Sequence, residues 1–352
     1  PVPTPHSIGP AAAQKMDTLS GDNPDPEYFL HPLRYLQRMH LPTKKLVLNF
    51  DGVGPIFTLP STFKQRLGRR STDFFYSGTF TSGAKTIGFI RIYDFDLFGD
   101  FNNIDAGDAA FDTEIAFMEK NTDGLLIDIM RNPGGFGCYA EDLMSRLATK
   151  RFRGLMLQFR PTIFDVQAFA QAVQDSIDFG EPDWVVVTLK AYQAEINQAY
   201  VGGGMTGPIP ACGISIDRDP NTDSNGKLAI YDKPVMLLTD EFSASSADIF
   251  AALFQDAQRG QLFGMRTMGA GGSVSDGNPT GYYSDGFASV TQTLVARPNP
   301  VITKDYPAAP LIENIGVRPD IQSDYMTKSN LQNRGQDFVT AFTNAILATI
   351  GK

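Results

Sequence analysis

Histidine is scarce in this chain: His6, His31 and His40 are the only three in 352 residues. No two are sequence neighbours, so the spacing of a histidine-based metal site is missing. Cysteine is scarcer still. Cys138 and Cys212 are too few for a disulfide framework or a thiolate metal motif, and they fit either one bridge or two buried thiols. Basic charge is in deficit as well. A net charge of −9 and a pI of about 4.9 argue against nucleic acid or an anionic membrane surface as partner, since both call for a basic face. Long apolar runs are absent, and none would span a bilayer. Neither internal repeats nor low-complexity tracts occur, and no metal or organic cofactor is implied.

What remains is the composition of a soluble globular protein, 42% hydrophobic and 20% charged, long enough for one large or two ordinary domains. The start, Pro1-Val-Pro-Thr-Pro5, carries no methionine and no apolar signal core. It fits a removed signal or propeptide, or a start inside a longer protein. Residues 1–42 are rich in Pro, Asp and Asn and read as an arm with a short helix near Pro32–Met39. Lys45–Phe50 is a candidate strand. Phe74–Phe80 and Thr86–Ile92 read as two strands joined at Ser82-Gly83. From Ala106 the pattern alternates: helix to Asn121, strand Leu125–Ile129, helix Gly137–Thr149, strand Leu155–Arg160. That alternation predicts a layered α/β core with mostly parallel strands. Val166–Phe179 and Trp184–Tyr200 carry helical periodicity. Ala288–Ala296 is a strand expected to pair with Ser273–Ser275, and Phe338–Ile350 is a terminal amphipathic helix.

Two junctions carry the chemistry. In the first, the apolar run Pro234–Leu238 passes through small residues, Ser243-Ala-Ser-Ser-Ala247, into a helix with Ala247, Phe250, Ala251 and Phe254 at helical spacing. A serine held there sits at a strand end beside helical N–H groups, as a nucleophilic serine requires. The plain alternative is an N-cap completed by Asp248 as a capping box. In the second, the strand Gly124–Ile129 ends in Asn132-Pro-Gly-Gly135 before a helix. If the junctions face each other across a sheet edge, the first supplies a nucleophile and the second backbone donors for an oxyanion. Gly271 and Gly272 read either as positions of positive φ or as a close approach to substrate.

Asp128-Ile-Met-Arg-Asn-Pro-Gly-Gly135 and Phe242-Ser-Ala-Ser-Ser-Ala-Asp248 resemble the glycine turn and nucleophile motif of the S41 serine peptidases. Gly264–Val274 and Leu311–Pro319 are similar to segments of the chlamydial protease-like activity factor branch. The resemblance covers roughly Lys85 to Ile321. It implies an α/β fold of the crotonase/ClpP type, built of stacked ββα units. It also implies a division into an N-terminal arm and small β region (1–82) and a catalytic domain (83–352) with an insertion at about 150–230.

Aligned on the motif, Ser245 is the nucleophile and Ser243 its runner-up. Ser246 and either Gly134 or Gly135 supply the oxyanion N–H groups, and Glu313 is the acidic residue that orients a histidine. The lysine base of the tail-specific branch falls at Ala270, so a serine–lysine pair is excluded. His31 and His40 are weak base candidates, in a stretch without a family histidine motif. The expected activity is endopeptidase hydrolysis of an extended polypeptide through an acyl-enzyme, outside the cytoplasm or secreted. The expected partners are the polypeptide substrate and either further copies of the chain, as a homo-oligomer, or a missing N-terminal portion that carries the histidine. The rival is a catalytically incomplete protein of the same fold that binds peptide or lipid.

Overall fold

The computed structural model describes residues 52–277, 288–301 and 309–350. The candidate strand Lys45–Phe50, the short helix at Pro32–Met39 and all three histidines lie outside the described residues.

Strands β1 (Lys64–Leu67), β2 (Tyr76–Ser82) and β3 (Lys85–Arg91) form an antiparallel meander. Helix α1 (Ile104–Asn121) crosses to β4 (Gly124–Asp128), which lies parallel to β3 and leads into α2 (Gly137–Ser145). Two short strands follow, β5 (Phe152–Arg153) and β6 (Met156–Phe159), then a hairpin of helices α3 (Ile163–Asp178) and α4 (Asp183–Gly202), then β7 (Ile209–Pro210) and β8 (Asp217–Arg218). The chain returns through β9 (Val235–Thr239), α5 (Ser246–Asp256) and β10 (Gln261–Gly264). Next come β11 (Val274–Gly277), β12 (Ala288–Thr291), β13 (Thr293–Val301), β14 (Ala309–Leu311) and β15 (Ile321–Gln322). Helices α6 (Lys328–Asn333) and α7 (Gln336–Ile350) end the described chain.

The main sheet has seven strands in the order β1-β2-β3-β4-β9-β10-β15, parallel from β3 onward. Its central strands are unbroken apolar runs because both faces are covered. Leu125, Ile127 and Leu237 point into a cluster with Phe111 of α1, Leu143 of α2 and Phe250 of α5. Their neighbours Leu126, Met236 and Leu238 point the other way, onto Phe338, Phe342 and Ile346 of α7. This is the expected mixed α/β architecture, and it places the ends of β4 and β9 side by side, with Asp128 opposite Leu238.

Two local expectations change. The strand expected at Ala288–Ala296 is two strands, broken at Gln292, where Ser273 O accepts the N–H groups of both Gln292 (2.9 Å) and Thr293 (3.3 Å). Before the break β12 pairs with β11. After it β13 turns away to pair with β6 in a second sheet, β14-β13-β6-β7. The helix from Gly137 stops at Ser145, where Arg146 N turns back to Leu143 O. Cys138 and Cys212 form a disulfide, with Cα atoms 5.3 Å apart, that ties the start of α2 to the chain just after β7. Of the two thiol states the sequence allowed, the bridged one is realised.

Candidate active site

The first junction begins where β4 ends. Asp128 is fully buried. It accepts from Met130 N at 2.9 Å and from Arg91 Nη1 at 3.0 Å, so the charge leaving the strand is paired inside the protein. Burial still pushes its carboxyl up, against the pull of Arg91. Arg131 takes a positive φ of 57°, and Asn132 folds the turn: its Nδ2 donates to Ile92 O and its Oδ1 accepts from Gly134 N at 2.8 Å. Gly134 and Gly135 follow at φ 104° and 137°, conformations that favour glycine. At Gly135 a side chain would run into the backbone of Phe95 and Asp96.

The second junction leaves β9 at Thr239 and enters α5, in which Ser246 through Phe254 are all buried. Ser245 stands at the corner with φ 52° and ψ −119°, a strained conformation for a residue with a side chain. Its side chain makes no helix-capping bond. The expected capping box is half present: Asp248 accepts the Ser245 backbone N–H. Ser243, the runner-up, is fully buried, and its Oγ donates to Ile129 O at 2.9 Å, so it serves the turn itself.

The junctions meet directly. Ala244 N donates to Asn132 O (2.9 Å), Arg131 N to Asp240 Oδ1 (2.8 Å) and Ser246 Oγ to Gly135 O (2.6 Å). Gly134 lies against the nucleophile candidate itself: a methyl there would sit 2.5 Å from Ser245 Cβ and 2.9 Å from its Oγ. Asn132 Oδ1 already occupies the N–H of Gly134.

The third wall is the glycine loop after β10 and the segment after β14. Asp248 holds the loop through Gly269 N (2.8 Å) and Ala270 N (3.0 Å), and Gly269 O accepts from Asn314 N (2.7 Å). Burial pushes Asp248 up to about 6, offset by bonds from Thr267, Ala270, Gly269 and Ser245. The positive φ of this loop belongs to Gly269 (81°) and not to Gly271 or Gly272. Gly272 does make a close approach, but to the Thr293 carbonyl, so its contact is with the chain's own backbone. Glu313 Oε1 accepts from Val295 N at 2.7 Å. Its Oε2 is buried with no hydrogen-bond partner among the described residues, and burial raises the carboxyl. Ser245 and Glu313 line one cavity of about 660 Å³, whose walls include Pro133, Met268, Val274 and Leu294.

Known proteins resemble this chain in sequence and fold. Residues 86–323 match the model of peptidase family S41, and the chain belongs to that family. A protein of Chlamydia pneumoniae is 26% identical over 92% of this chain, and an uncharacterized protein of Chlamydia muridarum is 28% identical over 71%. The chain spans only 54% and 42% of their respective lengths. Among solved structures, mature CPAF superposes with a TM-score of 0.69 at 21% identity, covering 91% of this chain and 62% of that one. Mature CPAF in complex with lactacystin gives 0.68. The likeness is one of fold.

Proposed function

We propose that the chain carries the nucleophile half of a serine endopeptidase site. Ser245 Oγ attacks the carbonyl carbon of an extended polypeptide, and its proton passes through a histidine to the leaving amine as the C–N bond breaks. Water then hydrolyses the acyl-serine. Ser246 and Gly135 N–H groups stabilise the oxyanion, and Glu313 orients the histidine and stabilises its charged form. That histidine comes from His31 or His40, or from a portion of a longer protein that this chain spans only in part. The observation that carries the reading is the strained Ser245 corner, φ 52°, pressed on Gly134 in the cavity that also holds Glu313. Such strain persists only where surrounding structure over-determines it, and it clusters at reactive sites. The Cys138–Cys212 bridge supports an oxidising, extracytoplasmic setting.

The test is covalent labelling with a fluorophosphonate, mapped by peptide mass spectrometry, on this chain and on the longer protein. Labelling is expected at Ser245 and absent in Ser245→Ala. An unreactive Ser245 in both would leave a peptide- or lipid-binding protein on a peptidase fold.

A further inference from the structure

We infer that Asp240 is a positioning residue for Ser245: its carboxylate clasps the turn that carries the nucleophile to the turn that carries the oxyanion donor. The inference rests on the peptidase reading of Ser245 for its catalytic half. Asp240 is the first residue after β9, 6% exposed, and touches neither the cavity nor any reacting atom. Its Oδ1 accepts from Arg131 N across the gap (2.8 Å) and from Phe242 N (3.2 Å) and Ser243 Oγ (3.2 Å) on its own turn. Its Oδ2 faces Arg131 Nε at 3.9 Å. One oxygen therefore gathers three donors from both turns, and its loss removes the acceptor that they share.

The remaining ties do not replace this one. Ala244 N to Asn132 O, Ser243 Oγ to Ile129 O and Ser246 Oγ to Gly135 O also cross the gap, so the sheet ends stay adjacent without Asp240. In the two turns, Arg131 (φ 57°) and Ser245 (φ 52°) are the residues with side chains that sit in strained conformations and need such over-determination. Relaxation at either moves Ser245 Oγ relative to the Gly135 N–H, the distance on which oxyanion stabilisation depends.

The geometry separates position from charge. Asp240→Asn keeps an oxygen where Oδ1 stands and loses the charge. Asp240→Glu keeps the charge and displaces the oxygens by one methylene. The measurement is the saturation kinetics of fluorophosphonate labelling at Ser245 in the longest active form of the protein, with thermal stability and amide hydrogen exchange of residues 130–134 and 242–246. Expected are near-normal labelling for Asp240→Asn, within about 10-fold, and a rate constant lowered by about 100-fold for Asp240→Ala and Asp240→Glu, on the scale of a reacting group misplaced by 1 Å. The half-saturation concentration should stay unchanged, and protection should fall in both turns of the slow variants. Glu labelling as fast as Asn, a loss confined to half-saturation, or unchanged protection would overturn the inference. An unreactive wild type would overturn its catalytic half together with the peptidase reading, and hydrogen exchange alone would then decide the clasp.

Discussion

Ser245 stands between two kinds of buried carboxylate. On the side of its own turn, Asp248 accepts backbone N–H groups at both oxygens, and Asp240 gathers three donors at Oδ1. Glu313, across the cavity, accepts from Val295 N at Oε1 and also from the Gly272 and Glu313 N–H groups, while its Oε2 is buried with no partner among the described residues. Burying a carboxylate oxygen without a donor costs on the order of 1–3 kcal/mol or more. A structural carboxylate avoids that cost by collecting donors, as Asp248 does. An acidic residue kept for a histidine or a substrate bears it until the donor arrives. In the proposed mechanism the two flanks differ in this way: one builds the corner, and Glu313 acts from the other.

The largest effect is expected at Glu313. Glu313→Gln retains an oxygen for Val295 N and nearly the same volume, so thermal stability should change little. Labelling or turnover at Ser245 should fall by roughly 10²- to 10⁴-fold, the scale seen when the residue orienting a catalytic histidine loses its charge. A loss of stability with reactivity intact would place Glu313 with Asp240 and Asp248 among the structural groups.

Gly134→Ala probes the other flank. The added methyl meets Ser245 Cβ at 2.5 Å, and φ 104° is strained for alanine, so the turn must shift away from the serine. A loss of about 10²-fold in labelling rate is expected. Stability should fall as well, by a kcal/mol or two, whereas Glu313→Gln separates rate from stability. Equal stability losses in the two variants would erase the distinction between the flanks.

Much of this was legible in the sequence because it is local. An apolar run, a turn of small residues and a helix-period pattern suffice to put Ser245 at a strand–helix corner, and Asn132-Pro-Gly-Gly135 suffices for the facing turn. The α/β alternation followed from periodicity, because central strands buried on both faces become continuous apolar runs. Less legible was whatever depends on pairing across long separations. Asp240 reads as an ordinary turn aspartate until Arg131, 109 residues away, is brought to it. Asp248 read as a capping residue, yet it also pins Gly269 and Ala270, 21 and 22 residues on. The split of Ala288–Ala296 needed Ser273 as a shared acceptor, and the Cys138–Cys212 bridge needed a fold to bring two cysteines 74 residues apart into contact. At Gly272 the sequence left positive φ and a close approach to substrate both open; the fold brings the carbonyl of Thr293 against it and gives it no positive φ.

The smallest expected effect lies in the pH dependence of stability. Burial, offset by their bonds, pushes Asp240 and Asp248 each up to about 6. In the unfolded chain an aspartate titrates near about 3.9. A group whose folded pKa is the higher binds its proton more tightly in the native state, so protonation favours folding. The contribution is complete below about 4 and is lost as pH rises through about 6. Urea midpoints should therefore be higher at pH 5 than at pH 7, by on the order of 1 kcal/mol for each of the two groups. Burial raises Glu313 and Asp108 as well, which adds the same sign, while the lowered groups Asp73, Asp123 and Asp219 act at more acidic pH. Asp248→Asn removes one titrating group and should flatten this slope, whatever it does to the absolute stability. Labelling at Ser245 should move the opposite way over the same interval, because a histidine base, with an ordinary pKa of about 6.5, takes up a proton there and no longer assists the serine. Stability rising while reactivity falls is the signature of structural carboxylates and a base that titrate separately around one serine. A parallel change in both would mean that the corner and the reacting groups titrate as one unit.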